Sequence, residues 1–161
     1  MGVIQLVRHG QASFGSDDYD VLSALGVRQG TSLGQFWEAA GLGPTHAIAG
    51  SMKRHAQTAI AAIDACGVGD GYDVDPGWNE YDHIGIATAH QSDALTIDTK
   101  AFQVVLNEAI VRWMAGEGEF SEPYAEFVAR VRGAFDVAAA AAAGKGEQVM
   151  VFTSGGPIAL V

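Results

Sequence analysis

The sequence predicts an α/β fold, a three-layer αβα sandwich with a mainly parallel central sheet. One observation is the order of patterns along the chain, in which short apolar stretches alternate with longer stretches of helical periodicity. Another is that the predicted strands at 3–7, 46–49 and 149–152 are mostly apolar on both faces, which is typical of strands buried in a parallel sheet. The 161 residues are 48% hydrophobic and 17% charged, so we expect a single globular domain over residues 1–161.

The first half of the chain supplies two strand and helix pairs. Each predicted helix begins near a serine and ends near a glycine, which are typical N-terminal and C-terminal signals. Ser23 is the predicted cap of the first helix and Ser51 of the second, and the helices end near Gly41 and Gly67. The elements are a strand at 3–7, a polar loop at 11–22, a helix at 24–40, a strand at 46–49 and a helix at 52–66.

The second half begins with a short strand at 72–75, which Pro76 ends. Residues 76–99 show no clean periodicity and are predicted to form a long loop, the kind of segment that often carries function. Two amphipathic patterns, at 102–113 and 124–135, predict helices, and an apolar run at 149–152 predicts the last strand.

Ligands of such sheets bind at the carboxyl ends of the strands. Three loops leave those ends, at 8–10, 50–51 and 153–156, and we expect them to converge on one site.

Three side chains, two in or near these loops and one in the segment 76–99, could act on an anion. His9 follows Arg8 directly after the first strand, although a surface arginine and a buried, hydrogen-bonded histidine would give the same pattern. Arg54 lies in the first turn of a helix, where free N–H groups and the helix dipole favour anions, but a solvated arginine is common there. Glu80 follows Trp78 in the long loop, where a carboxyl could act as an acid or simply be a surface group.

Together these stretches resemble the histidine phosphatase superfamily, also called phosphoglycerate mutase-like. The matching segments are LVRHGQ at 6–11, LSALGVRQ at 22–29, SMKRHAQTA at 51–59 and WNE at 78–80, in the order the family has them. The final strand and its Gly-Gly turn match in shape.

The resemblance implies a mechanism and a set of residues. His9 would accept a phosphoryl group and form a phosphohistidine, Arg8 and Arg54 would bind the phosphate, and Glu80 would protonate the leaving oxygen. No metal or cofactor is implied, because the cations of the pocket neutralise the phosphoryl oxygens. The chemistry suits the residue types, since a neutral imidazole is a good nucleophile and Gly10 lets the backbone approach a phosphate.

The chain departs from the family at Ser154, where the resemblance places a second pocket histidine. A serine there supplies a hydrogen bond without charge, and it could also cap the following helix. His83, three residues after Glu80, is a candidate replacement, whereas we expect His55 to pack in the fold or to face solvent. The remaining candidate pocket residues are Gln11, Ser13 and Gly155.

These features favour a cytoplasmic phosphatase acting on a small phosphomonoester or a phosphoprotein. The net charge of −10 disfavours nucleic acid and anionic membranes as partners, and the single cysteine, Cys66, fits a reducing compartment. The alternatives are a phosphate-binding or interaction module that has lost turnover, which Ser154 favours, and phosphoglycerate mutase-type transfer, for which the segment 76–122 is short. The chain ends at Val161, where a helix is expected to begin, so we expect the C-terminal helix to be missing from it.

Overall fold

The computed structural model describes residues 2–13, 18–68 and 71–161. Four strands occur in this part of the chain: β1 (Val3–Arg8), β2 (His46–Ala49), β3 (Asp73–Val74) and β4 (Gln148–Thr153). Its six α-helices are α1 (Ala24–Ala40), α2 (Lys53–Cys66), α3 (His83–His90), α4 (Thr99–Ala115), α5 (Tyr124–Ala141) and α6 (Gly155–Leu160). Part of the predicted polar loop, residues 14–17, lies outside the described residues.

The sheet is parallel throughout, in the order β1-β4-β2-β3. The last strand of the chain therefore lies between the first two, which confirms the predicted α/β class and places the ends of β1, β4 and β2 side by side. All of β4 except its first residue is buried, as expected for a central strand covered on both faces.

Helix α1 has the predicted signals at both ends. The Ser23 side chain accepts a hydrogen bond from the Gly26 N–H, and Gly41 ends the helix in the left-handed conformation at φ 65°. The prediction that Ser51 caps α2 is wrong, because Met52 holds the N-cap position and makes no side-chain cap. The Ser51 hydroxyl instead accepts a hydrogen bond of 2.8 Å from Asn79 Nδ2.

The prediction of a long loop over 76–99 is also wrong. The segment contains α3 and two short 3-10 turns, Pro76–Trp78 and Ala94–Thr96. Asp82 caps α3 by accepting from the Gly85 N–H. The helix has only eight residues, too few for the apolar ones to show a clear period in the sequence.

The chain forms two compact units, Met1–Glu80 with Val131–Val161, and Tyr81–Arg130. The first unit contains the sheet and a core of apolar side chains, among them Trp37, Ile63, Met150 and Phe152. The single domain over 1–161 stays a prediction.

The second unit has a core of its own, formed by residues of α3, α4 and the 3-10 turn between them: Ala87, Ala94, Val105 and Leu106. The same unit contains a group of aromatic rings, in which the Trp113 ring centroid lies 5.1 Å from that of Tyr81 and 5.4 Å from that of Phe127. None of the helices in the described part of the chain combines the length and apolarity that a bilayer crossing needs.

Candidate active site

The candidate site lies in the first unit, where β1 and β4 end next to each other. Arg8 pairs with Thr153 in the sheet register, so His9 and Ser154 are the next residues on two adjacent strands. The His9 N–H donates to the Thr153 carbonyl over 2.9 Å and extends the pairing by one more bond. The parallel sheet thus places two sequence-predicted site residues beside each other, although they are far apart in the chain.

His9 is oriented by the backbone of its neighbour. Its Nδ1 lies 2.7 Å from the Gly10 carbonyl oxygen, which can only accept, so Nδ1 carries the proton and donates. The lone pair of the neutral ring is then on Nε2. Burial lowers the pKa of His9, the Gly10 carbonyl opposes that shift, and the positive charges of Arg54 and Arg8 lower the pKa further. His9 is therefore held neutral, with one nitrogen able to act as a nucleophile.

Gly10 fits between β1 and α1. A Cβ at this position would lie 2.4 Å from the Gly26 carbonyl oxygen, so no larger residue fits without moving backbone. Its N–H donates to Thr58 Oγ1 over 3.0 Å, and that hydroxyl donates to the Arg54 carbonyl over 2.7 Å. The close approach that requires a glycine here is therefore made to α1, and the same contacts connect the His9 loop to α2.

Arg54 is buried, with 7% of its surface exposed. Its Nη1 donates to Asp20 Oδ1 over 2.7 Å, while Asp20 Oδ2 accepts from the Lys53 N–H over 2.8 Å. Arg54 Nε is buried and has no hydrogen-bond partner among the described residues. An arginine with a buried, unused donor can bind an anion, and Asp20, which the sequence analysis did not single out, fixes its orientation.

Arg8 is exposed and borders an open cavity of about 400 Å³. His9, Gly10, Gln11 and Tyr19 also line this cavity. Arg8 and Arg54 both lower the pKa of His9, so two cations act electrostatically on the same imidazole.

The Glu80 carboxyl lies against the first turn of α6. Its Oε2 accepts from the Gly156 N–H over 3.0 Å, and a Cβ built on Gly155 would be 4.0 Å from the same oxygen. A hydrogen bond of 2.5 Å from Thr153 Oγ1 to the Trp78 carbonyl fastens the preceding segment to β4. The carboxyl is thus held at the backbone of Gly156, which is two residues after Ser154.

His55 contributes to the site in a way the sequence did not reveal. It is fully buried, its Nε2 lies 2.7 Å from Ser154 Oγ, and its ring centroid is 5.8 Å from that of His9. Burial lowers its pKa from the ordinary 6.5 to about 3, and Arg54 and His9 add to that shift. We expected His55 either to pack in the fold or to face solvent, and packing is confirmed. Ser154 holds the N-cap position of α6 without making a side-chain cap, because its hydroxyl is directed to His55 instead.

The remaining candidate pocket residues are Gln11, Ser13 and His83. Gln11 Oε1 accepts from Ser23 Oγ over 2.9 Å, and the Ser13 N–H donates to the Val21 carbonyl over 2.8 Å. His83 begins α3 in the second unit, so its place in the pocket stays a prediction.

A sequence model of the histidine phosphatase superfamily (branch 1) matches residues 4–161. No curated protein sequence gives a significant match.

Solved structures match almost the whole chain. A phosphoglycerate mutase from Bacillus anthracis str. Sterne matches with a TM-score of 0.65 and 16% identity, over 98% of this chain and 76% of the other. A mycobacterial glucosyl-3-phosphoglycerate phosphatase gives 0.59 and 19%, over 96% and 76%. The protein histidine phosphatase SixA gives 0.56 and 12%, over 98% and 72%. At these identities the likeness shows a common fold, and the predicted phosphoglycerate mutase-like fold is confirmed.

Proposed function

Because the chain belongs to the histidine phosphatase superfamily, we propose that it is a phosphatase that hydrolyses a phosphomonoester or a phosphoprotein through a phosphohistidine at His9. The observation that carries this proposal is the fixed tautomer of His9. The Gly10 carbonyl accepts a hydrogen bond from Nδ1–H, and burial together with two nearby cations keeps the ring neutral. A neutral imidazole with its free lone pair on Nε2 is the form that attacks phosphorus.

The arginines provide the charge that the reaction needs. Phosphoryl transfer depends mainly on positioning and on neutralising the phosphoryl oxygens. Arg54 supports this role because its buried Nε has no partner among the described residues, and Arg8 because it borders the open cavity beside His9. This role requires no metal or cofactor.

Glu80 would move the proton in both halves of the reaction. In the first, His9 Nε2 forms a bond to phosphorus, the bond to the leaving oxygen breaks, and protonated Glu80 gives its proton to that oxygen. In the second, water attacks phosphorus, the Glu80 carboxylate takes a proton from the water, and the N–P bond breaks. Phosphate leaves, and His9 and Glu80 return to their starting states. The fixed position of the carboxyl at the Gly156 N–H, two residues after Ser154, supports this assignment.

The substrate is proposed only as a class, a small phosphomonoester or a phosphoprotein, in a cytoplasmic setting. The named structural matches include a glucosyl-3-phosphoglycerate phosphatase and a protein histidine phosphatase. The net charge of −10 supports the exclusion of nucleic acid and anionic membranes. Mutase-type transfer is a weaker candidate, which we base on the short segment 76–122.

A second candidate function is a phosphate-binding module with little turnover. The observation that favours it is the loss of positive charge at the site. Ser154 is uncharged, its neighbour His55 is held neutral, and Arg54 already has a carboxylate partner in Asp20.

A labelled reactive phosphodonor tests the nucleophile. Incubation should give an acid-labile, alkali-stable adduct in the wild type and none in His9→Ala. His46→Ala removes a histidine at the start of β2 and is the matched control, which should be labelled like the wild type. A label that persists in His9→Ala would exclude His9 as the phosphorylated residue.

A panel of phosphomonoesters, phosphopeptides and sugar phosphates then separates the two candidate functions. Turnover that depends on His9 supports the phosphatase. Binding of phosphate or vanadate without turnover on any substrate supports the binding module.

A further inference from the structure

We propose that His55 is a positioning residue, which donates a hydrogen bond from Nε2 to Ser154 and so reserves the Ser154 hydroxyl hydrogen for an oxygen of an anion at His9. The anion half of this inference rests on the proposed function. The direction of the hydrogen bond does not.

The first support is the enclosure of the pair. His55 and Ser154 both have 0% of their surface exposed, so water does not compete for the 2.7 Å contact between Nε2 and Oγ. The other edge of the ring faces Gly50. A Cβ built on Gly50 would lie 2.3 Å from His55 Nδ1 and 3.0 Å from Cε1. It would also lie 2.8 Å from Asn79 Oδ1, which accepts from the Ser51 N–H. The absence of a side chain at Gly50 therefore makes the space that the imidazole fills.

The second support is the environment of Nδ1, which is buried and has no hydrogen-bond partner among the described residues. A proton on Nδ1 would create a buried N–H without an acceptor, and such groups are rare in folded proteins. A proton on Nε2 leaves only an unused lone pair at Nδ1 and gives the N–H an acceptor in Ser154. The doubly protonated ring would add a charge beside Arg54 and would again leave Nδ1–H unpaired. Neutral His55 with its proton on Nε2 is thus the form that fits the surroundings.

The third step concerns what remains for Ser154. A hydroxyl has one hydrogen to donate and two lone pairs to accept with. Because His55 donates to it, one lone pair is used and the hydrogen is still available. Ser154 makes no capping bond to α6, and its backbone position is the one beside His9 on the neighbouring strand. An oxygen of an anion held at His9 is the acceptor we assign to that hydrogen, and because Ser154 is fully covered in the protein without an anion, binding must uncover its hydroxyl.

The tautomer is tested without any substrate. In protein labelled with 15N-histidine, long-range proton–nitrogen spectra at pH 7.5 distinguish protonated from unprotonated ring nitrogens, and the signals missing in His55→Gln identify His55. We expect a protonated Nε2 and an unprotonated Nδ1. A proton on Nδ1, or on both nitrogens, would overturn the proposed hydrogen-bond direction.

Vanadate binding tests the positioning role. His55→Phe keeps a ring but has no donor, and we expect it to bind vanadate about tenfold more weakly, as for one lost neutral hydrogen bond. His55→Gln carries an N–H that can donate to Ser154, so it should recover most of that loss. His46→Gln is the matched control for removing a histidine and should bind like the wild type.

The outcomes separate the two proposals. Equal losses in His55→Phe and His55→Gln would overturn the positioning role. A wild-type protein that binds no vanadate would overturn both the anion half of the inference and the proposed function, while the spectra would still decide the hydrogen-bond direction.

Discussion

Lowering the pH from 8 to 5 should destabilise the protein through His55. Burial, followed by the charges of Arg54 and His9, lowers the pKa of this imidazole from 6.5 to about 3, with Asp20 opposing the shift. In the unfolded chain the ring takes up a proton near its ordinary pKa, whereas in the folded protein it stays neutral until a much lower pH. The unfolded state therefore binds more protons throughout this interval, and stability is complete above pH 6.5 and falls as the pH falls.

The magnitude follows from the width of the interval. At pH 5 the unfolded imidazole is about 1.5 pH units below its pKa, and each unit corresponds to about 1.4 kcal/mol, so the free energy of unfolding should fall by about 2 kcal/mol. The pKa of His9 is also lowered, so its contribution has the same sign. A loss of this size is a large fraction of the stability of an ordinary domain.

Urea unfolding at 25 °C, at pH 8 and pH 5, measures the effect. The wild type should lose about 2 kcal/mol more than His55→Gln, which keeps a polar side chain but cannot titrate. His46→Gln is the control for the loss of one imidazole at the start of β2. An equal loss of stability in the wild type and His55→Gln would refute the reasoning, because another group would then carry the pH dependence.

Three further substitutions test other contacts of the site. Glu80→Gln should slow the hydrolysis of alkyl phosphates more than that of aryl phosphates, because only a poor leaving group needs the proton. The loss of rate should be on the order of 10²–10⁴-fold for alkyl phosphates, and equal losses for both would remove Glu80 from that role. Gly10→Ala places a methyl group 2.4 Å from the Gly26 carbonyl oxygen and should lower the free energy of unfolding, measured by urea denaturation, by about 1–3 kcal/mol. An unchanged urea midpoint would contradict this packing. Ser154→His places an imidazole at a position that is fully buried against His55, so the single variant should lose stability and turnover. His55→Ala in the same chain should restore part of both, and no recovery in the double variant would count against the steric explanation.

The sequence predicted the elements whose signals are local. The ends of α1 depend on the Ser23 hydroxyl and on the left-handed Gly41, both of which are visible in the sequence. The strand at 46–49 is a short, mostly apolar stretch between Pro44 and Gly50 and has the predicted bounds. The convergence of His9 and Ser154 could also be predicted, because the carboxyl ends of parallel strands meet at one edge of the sheet.

The sequence analysis failed for residues whose hydrogen-bond partners lie far away in the chain. Ser51 has the sequence features of a helix cap, but Asn79, 28 residues away, makes a double contact with it. Asp20 is one of several acidic residues in a polar loop, and only the fold pairs it with Arg54. Nothing in the local sequence of either residue indicates these contacts.

His55 and Ser154 show how such a distant contact changes the meaning of a departure from a family pattern. Considered alone, serine at 154 is the loss of a pocket histidine. In the structure an imidazole from α2, 99 residues earlier in the chain, lies against that serine in a space left by Gly50. The imidazole is buried and neutral, so it can restore a directed hydrogen bond but not a positive charge. Arg8 and Arg54 must then supply the positive charge near His9, and we expect the arginine variants Arg8→Gln and Arg54→Gln to weaken vanadate binding more than any change at His55. A smaller effect at both arginines would show that the charge of the bound anion is neutralised elsewhere.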